Sequence, residues 1–126
     1  MKKRNWKQLA SILKQGELRT DEKTLETYSG DKWFAVAKPE AVTFPKTTAS
    51  VSKILAWANQ RSIPVTARGA GHGYVGGCVP VRNGIVLSLE KMKRIREVHT
   101  QDFVTVVQAG VITADLQSKT EAQGLF

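Results

Sequence analysis

The sequence predicts an α/β domain built on a mixed sheet, and three observations predict it. Residues 41–67 read as strand, helix, strand. A glycine-rich stretch, Arg68-Gly69-Ala70-Gly71-His72-Gly73-Tyr74-Val75-Gly76-Gly77-Cys78, stands between two apolar runs and holds five of the ten glycines. Residues 94–108 alternate polar and apolar about a short polar connection, which reads as an antiparallel hairpin ahead of a last helix.

Taken in order, Trp6, Leu9, Ala10 and Leu13 recur at helical spacing, and Gly16 is the expected stop. Residues 17–29 carry Leu18, Leu25 and Tyr28 among many charges and suggest only a weak helix, since Thr20 with Lys23 makes no capping box. Ser29-Gly30-Asp31 reads as a loop. Ala41 to Phe44 is a short strand bordered by Pro39 and Pro45, positions where no ladder N–H is needed.

The clearest helix follows. Thr47 or Thr48 caps it, and Val51, Ile54, Leu55 and Ala58 form the expected apolar stripe. Pro64 sets its limit, because a proline biases the preceding residue away from helix. Ile63 to Ala67 is then a strand, and a strand–helix–strand unit favours a parallel pair. Ile85 to Leu89 is the next strand. Arg94–His99 and Phe103–Gln108 form the hairpin, joined through Thr100-Gln101-Asp102. Thr113 is the expected cap of a helix from Ala114 to about Gln123, with Asp115 in its first turn and Gly124 after it.

Composition bounds the function classes. The chain has 126 residues, enough for one domain with a real core. A single cysteine excludes an internal disulfide framework and a multi-cysteine metal site. The net charge of +8 owes much to five cations before residue 15 (Lys2, Lys3, Arg4, Lys7 and Lys14), where no acid occurs. That arm reads as a solvated helix, with a non-enzymatic polyanion-binding module as the alternative. No aromatic-interleaved basic patch or nucleic-acid motif accompanies it, so no nucleic-acid partner is expected. No apolar run approaches the ~20 residues of a membrane span.

The glycine-rich loop carries the chemistry. Glycines let a backbone approach a ligand closely, and their N–H groups converge into concave nests that bind anions, phosphates above all. Arg68, at the strand end, can support negative charge or brace the loop. Gly71 to Gly76 satisfies G-x-G-x-x-G, but the nicotinamide-cofactor fingerprint requires a helix straight afterwards. Gly77-Cys78-Val79-Pro80-Val81-Arg82-Asn83-Gly84 is a poor helix, so a strand–loop–strand cradle is expected instead.

The ordered set Pro39-x5-Pro45, Val51, Ile54, Leu55, Ala58, Ile63-Pro64-Val65, Arg68-Gly69-x-Gly71, Gly76-Gly77 and Gly84-Ile85-Val86-Leu87 resembles the FAD-binding domain of the p-cresol methylhydroxylase and vanillyl-alcohol oxidase type. Within that family it is most similar to the FAD-linked subunit of glycolate oxidase and D-lactate dehydrogenase. The resemblance covers about residues 18–126. It implies FAD as cofactor and oxidoreductase chemistry on 2-hydroxy acids, with an iron–sulfur subunit or domain, a quinone or oxygen taking the electrons. The lone cysteine fits a reducing compartment, and Lys14 and Gln15 interrupt any signal-like apolar region, so a cytoplasmic location is expected, with a peripheral place at the inner face of a membrane as an option.

The cofactor-binding residues expected on this basis are Arg68, Gly69, Ala70, Gly71, His72, Gly73, Gly76 and Gly77, with Gly110 and Val111 matching the family's Q-x-G-V segment. Several oxidase branches carry a histidine at the position of His72 and bond it to the flavin 8α-methyl, whereas the glycolate-oxidase-like branch has threonine or serine there; both readings stay open. Cys78 is expected as a small buried residue and His99 at the surface. Asp102, Asp115 and Glu121 show no metal-ligand spacing. No catalytic residue is expected in this chain. The division expected is a basic helical segment, 1–30, and the N-terminal part of the flavin domain, 31–126, truncated ahead of the substrate segments.

Overall fold

The computed structural model describes residues 4–125; Lys2 and Lys3 of the basic arm lie outside them. The elements are α1 (Trp6–Ile12), β1 (Leu18–Arg19), α2 (Glu22–Thr27), β2 (Ala41–Thr43), α3 (Thr48–Asn59), β3 (Val65–Arg68), β4 (Ile85–Ser88), β5 (Ile95–His99), β6 (Val104–Val107) and α4 (Thr113–Glu121). β1 to β4 form one sheet in the order β1-β2-β4-β3. β2 and β3 both run parallel to β4, and β1 runs antiparallel to β2. The expected strands at 41 and 65 are therefore parallel to each other but not neighbours, because β4 lies between them.

β4 explains its own sequence. All four of its residues are buried, as an uninterrupted Ile-Val-Leu run requires of a central parallel strand covered on both faces. Ile85 and Leu87 join Leu9, Ala41, Ile54, Trp57, Ala58 and Ile63 in the main core under α1 and α3. Val86 and Val42 point the other way, against Leu25, with Tyr28 and Phe44 beside them. Burying each large aliphatic side chain contributes about 1.5–3 kcal/mol.

Four local expectations are corrected. α1 stops at Ile12, with Leu13 extended as its C-cap; Gly16 instead shapes the next turn. Residues 17–29 are a strand and a helix, and the helix is capped by Asp21, whose side chain accepts from Thr24 N–H. On α3 the buried residues are Ser50, Ile54, Trp57 and Ala58, while Leu55 is 44% exposed. Trp57 is drawn inward by Trp6, 5.8 Å away between ring centroids, and Arg61 lies over its ring at 4.6 Å. Ser50 is drawn inward by Glu17. Finally, Thr113 is the first helical residue of α4 and Ile112 is its cap, with no side-chain capping bond.

Glu17 was not singled out by its sequence. It is 1% exposed, and its carboxylate accepts from Lys14 N–H (3.0 Å), Lys46 N–H (3.1 Å) and Ser50 Oγ (3.0 Å). One side chain thus ties the turn before β1 to the start of α3. β5 and β6 form a separate antiparallel pair with an irregular register between Ile95 and Glu97. Phe103, Val104, Val106 and Val107 of this hairpin are exposed, and α4 buries no residue among those described.

Candidate functional site

The site is built at the carboxyl edge of the parallel strands, where open α/β sheets place their ligands. β3 ends at Arg68, and residues 69–84 cross to β4 without helix or strand. The G-x-G-x-x-G pattern is thus a strand–loop–strand crossover, as expected from the residues after it.

Arg68 turns inward. Its Nη1 donates to Gly30 O at 2.5 Å and to Cys78 Sγ at 3.4 Å. Its guanidinium lies 5.3 Å from the centre of the Tyr28 ring. Of the two roles open to it, bracing is the one its bonds serve. Tyr28 in turn donates its hydroxyl to Glu90 Oε2 at 2.7 Å, and Ser88 Oγ donates to the same oxygen at 2.9 Å. Burial, the bond to Glu90 and the nearby negative charge push the Tyr28 phenol up to about 12, so it stays a donor. Cys78 is half-buried rather than fully enclosed.

The loop itself is a row of donors. Gly71 and Gly76 both have φ of +73°, a conformation that side chains resist. Gly76 N–H is taken by Asp31 Oδ2 at 2.9 Å, and Gly73 O accepts from Lys32 N–H at 3.3 Å. The N–H groups of Ala70, Gly71, His72, Gly73, Tyr74 and Val75 donate no hydrogen bond to any other described residue. Free backbone donors gathered on a short concave segment bind anions.

The glycines divide into two kinds. A Cβ on Gly71 would sit 2.2 Å from Arg68 Nη2, so a side chain there would push the bracing guanidinium aside as well as strain the left-handed backbone. A Cβ on Gly73 or Gly77 would meet nothing within 4 Å, and neither has a positive φ. Nothing inside the fold requires glycine at 73 or 77.

Sequence reasoning placed ten residues at the site. Arg68, Gly69, Ala70, Gly71, His72, Gly73, Gly76 and Gly77 do share this crossover, and His72 is exposed on it. Gly110 and Val111 approach through the neighbouring segment, where Ala109 O lies 3.9 Å from a Cβ built on Gly69. Gly110 has its own reason to be glycine: a Cβ there would fall 2.1 Å from Leu89 O. Asp31, Tyr28 and Glu90 were missed. Asp31 two residues before Trp33 is an Asx-turn pattern, which marks the turn but not its partner across the loop. His99 lies at the surface, 2.9 Å from Glu97 Oε2. A separate cavity of about 530 Å³ opens beyond Tyr28 and Phe44, lined by Arg19, Lys23, Lys46 and Glu90.

An α/β layer that delivers a glycine-rich, donor-lined loop to the carboxyl ends of its parallel strands is a nucleotide-phosphate-binding module. Residues 39–126 match the model of the FAD binding domain. Over 121 residues the chain is 34% identical to D-2-hydroxyglutarate dehydrogenase of Stutzerimonas stutzeri, covering 94% of this chain and 26% of that one. It is 36% identical to the glycolate oxidase subunit of Bacillus subtilis over 88 residues, 70% of this chain and 19% of that one. Its fold matches p-cresol methylhydroxylase with a TM-score of 0.80 at 20% identity, covering 94% of this chain and 24% of that one. The chain belongs to the FAD-binding domain family of flavin-dependent oxidoreductases, with FAD as its cofactor. It spans about a fifth to a quarter of the length of these relatives. No helix among the described residues is long and apolar enough to cross a membrane.

Proposed function

We propose that residues 69–77 hold the FAD pyrophosphate through backbone N–H groups, within an oxidoreductase acting on 2-hydroxy acids of the glycolate or D-lactate class. The observation that carries this is the run of unengaged N–H groups from Ala70 to Val75, beside two glycines whose missing side chains leave open space. Arg68 serves as a brace, Gly71 and Gly76 as turns, and Gly110 as the close contact that keeps the neighbouring segment against Leu89. FAD, when bound, supplies a ring able to take a hydride from the hydroxy-acid carbon. Groups that bind the hydroxy acid or take its proton are assigned to other parts of a longer protein, as is contact with an iron–sulfur electron acceptor. Residues 31–126 then form the N-terminal part of the flavin domain, and residues 1–30 a basic helical segment that packs on it through Leu9, Leu18 and Leu25. The setting proposed is cytoplasmic.

The test is amide chemical-shift mapping of the 126-residue chain during titration with FAD and with ADP. Both nucleotides are expected to shift the amides of residues 69–77, with weak affinity, and the chain alone should oxidise neither glycolate nor D-lactate with an artificial acceptor. Shifts confined to the Arg19–Lys46 cavity, or no shifts, would overturn the assignment.

A further inference from the structure

Residues 29–37 form a small hairpin with an unusual means of support. It is closed by Ala37 N–H donating to Ser29 O at 2.9 Å and by a bridge between Gly30 and Val36. Trp33, Phe34 and Val36 are 62%, 81% and 72% exposed, so apolar burial does not hold it down. Its links to the glycine-rich loop are polar instead. Arg68 donates to Gly30 O, Lys32 N–H donates to Gly73 O, and Gly76 N–H donates to Asp31. Trp33 adds an edge-on contact to Tyr74 at 6.1 Å.

Within this set Asp31 has a distinct place. Its Oδ1 accepts from Trp33 N–H at 2.8 Å, inside its own turn, and its Oδ2 accepts from Gly76 N–H across the gap. Among the described residues it is the one side chain that takes an N–H from residues 69–77. Gly76 is also one of the two left-handed positions of the loop. Fixing its N–H inward fixes the turn that ends the row of free donors. A bond to a charged acceptor is roughly twice as strong as a neutral one, and a loop shaped beforehand loses less freedom when an anion arrives.

We infer that Asp31 is a positioning residue for the cofactor phosphates, acting through Gly76 rather than by touching the ligand. This rests on the FAD reading of the loop. It also accounts for a carboxylate close to a site for a dianion: both of its oxygens are engaged by N–H donors, and its work is to set the loop.

The variant that separates the roles is Asp31→Asn. The amide keeps one oxygen for the Trp33 N–H, as in an Asx turn, but its NH2 cannot accept from Gly76. The expected result is a fully folded protein with a thermal midpoint lowered by no more than about a few degrees, faster hydrogen exchange at the Gly76 amide without ligand, and FAD affinity about tenfold weaker. Asp31→Ser, too short to reach Gly76, should behave alike and serves if the asparagine variant does not fold. Equal FAD affinity in wild type and variant overturns the positioning role and leaves the FAD reading intact. Unchanged exchange at Gly76 overturns the anchor itself. Wild-type protein that fails to bind FAD removes the FAD reading, and the role of Asp31 with it. Failure of both variants to fold makes Asp31 a determinant of the fold and likewise overturns the proposal.

Discussion

The guanidinium of Arg68 lies against the α-carbon of Gly71, so close that a Cβ there would stand 2.2 Å from Nη2 and 2.5 Å from Cζ. Gly71 also has φ of +73°, whereas Gly73, two residues on, has neither constraint. The pair therefore separates folding from binding. Gly71→Ala should destabilise the ligand-free protein by about 1–2 kcal/mol. Gly73→Ala should cost less than about 1 kcal/mol yet weaken FAD binding about tenfold. Denaturant unfolding and FAD titration of both variants check this; matching stability losses would contradict it.

Glu17 gives the protein an acid-sensitive joint. Burial alone would raise its carboxyl, but the donors Lys14 N–H, Lys46 N–H and Ser50 Oγ outweigh burial and hold it below the usual range. A carboxyl lowered in the folded state adds stability that is fully present above its unfolded value, about 4.3, and is lost as pH falls through the folded value. Glu17→Gln retains one accepting oxygen and should cost about 2–3 kcal/mol at neutral pH. Stability measured against pH should fall on the acid side less steeply in the variant than in the wild type.

Tyr28 acts at the other end of the scale. Its phenol, raised from 10.0 to about 12, favours the protonated form in the folded state. That contribution is complete below the unfolded value near 10 and is lost as pH rises towards 12. Tyr28→Phe should cost about 1 kcal/mol at neutral pH and flatten the alkaline limb. The difference in phenolate absorbance between wild type and variant reports the same titration directly.

His72 is exposed on the loop, and the chain's relatives include the glycolate oxidase subunit. Flavin is expected to be held without a covalent bond. Acid precipitation of a flavin-loaded longer protein should leave a colourless pellet and a yellow supernatant, and His72→Thr should retain FAD. A yellow pellet that His72→Thr abolishes would establish an imidazole bond to the flavin.

The strands, α3 and the crossover were legible because each carries its own local signature. Ile85-Val86-Leu87 is apolar without interruption, Thr47 precedes a helical period, and Pro80 with the glycines forbids a helix after Gly76. What escaped depended on distant partners. Leu18-Arg19 is a strand only because Thr43 and Val42 pair with it. Trp57 displaces Leu55 from the core face because Trp6 waits on another helix. Asp31 and Gly76 meet across 45 residues, a distance no local pattern reports.

The position of β4 between β2 and β3 also sets an order in time. As the chain leaves the ribosome, α1, β1 and α2 emerge ahead of β2, α3 and β3, so β2 can pair with β1 but not with β3. Their shared partner arrives only after the crossover has passed. Until then β2 keeps one edge open and β3 keeps both, and closing residues 69–84 carries a loop entropy that the pairing of β4 with both strands offsets. The crossover is thereby closed in the same event that completes the sheet, and its finer shape is left to the contacts of Arg68 and Asp31.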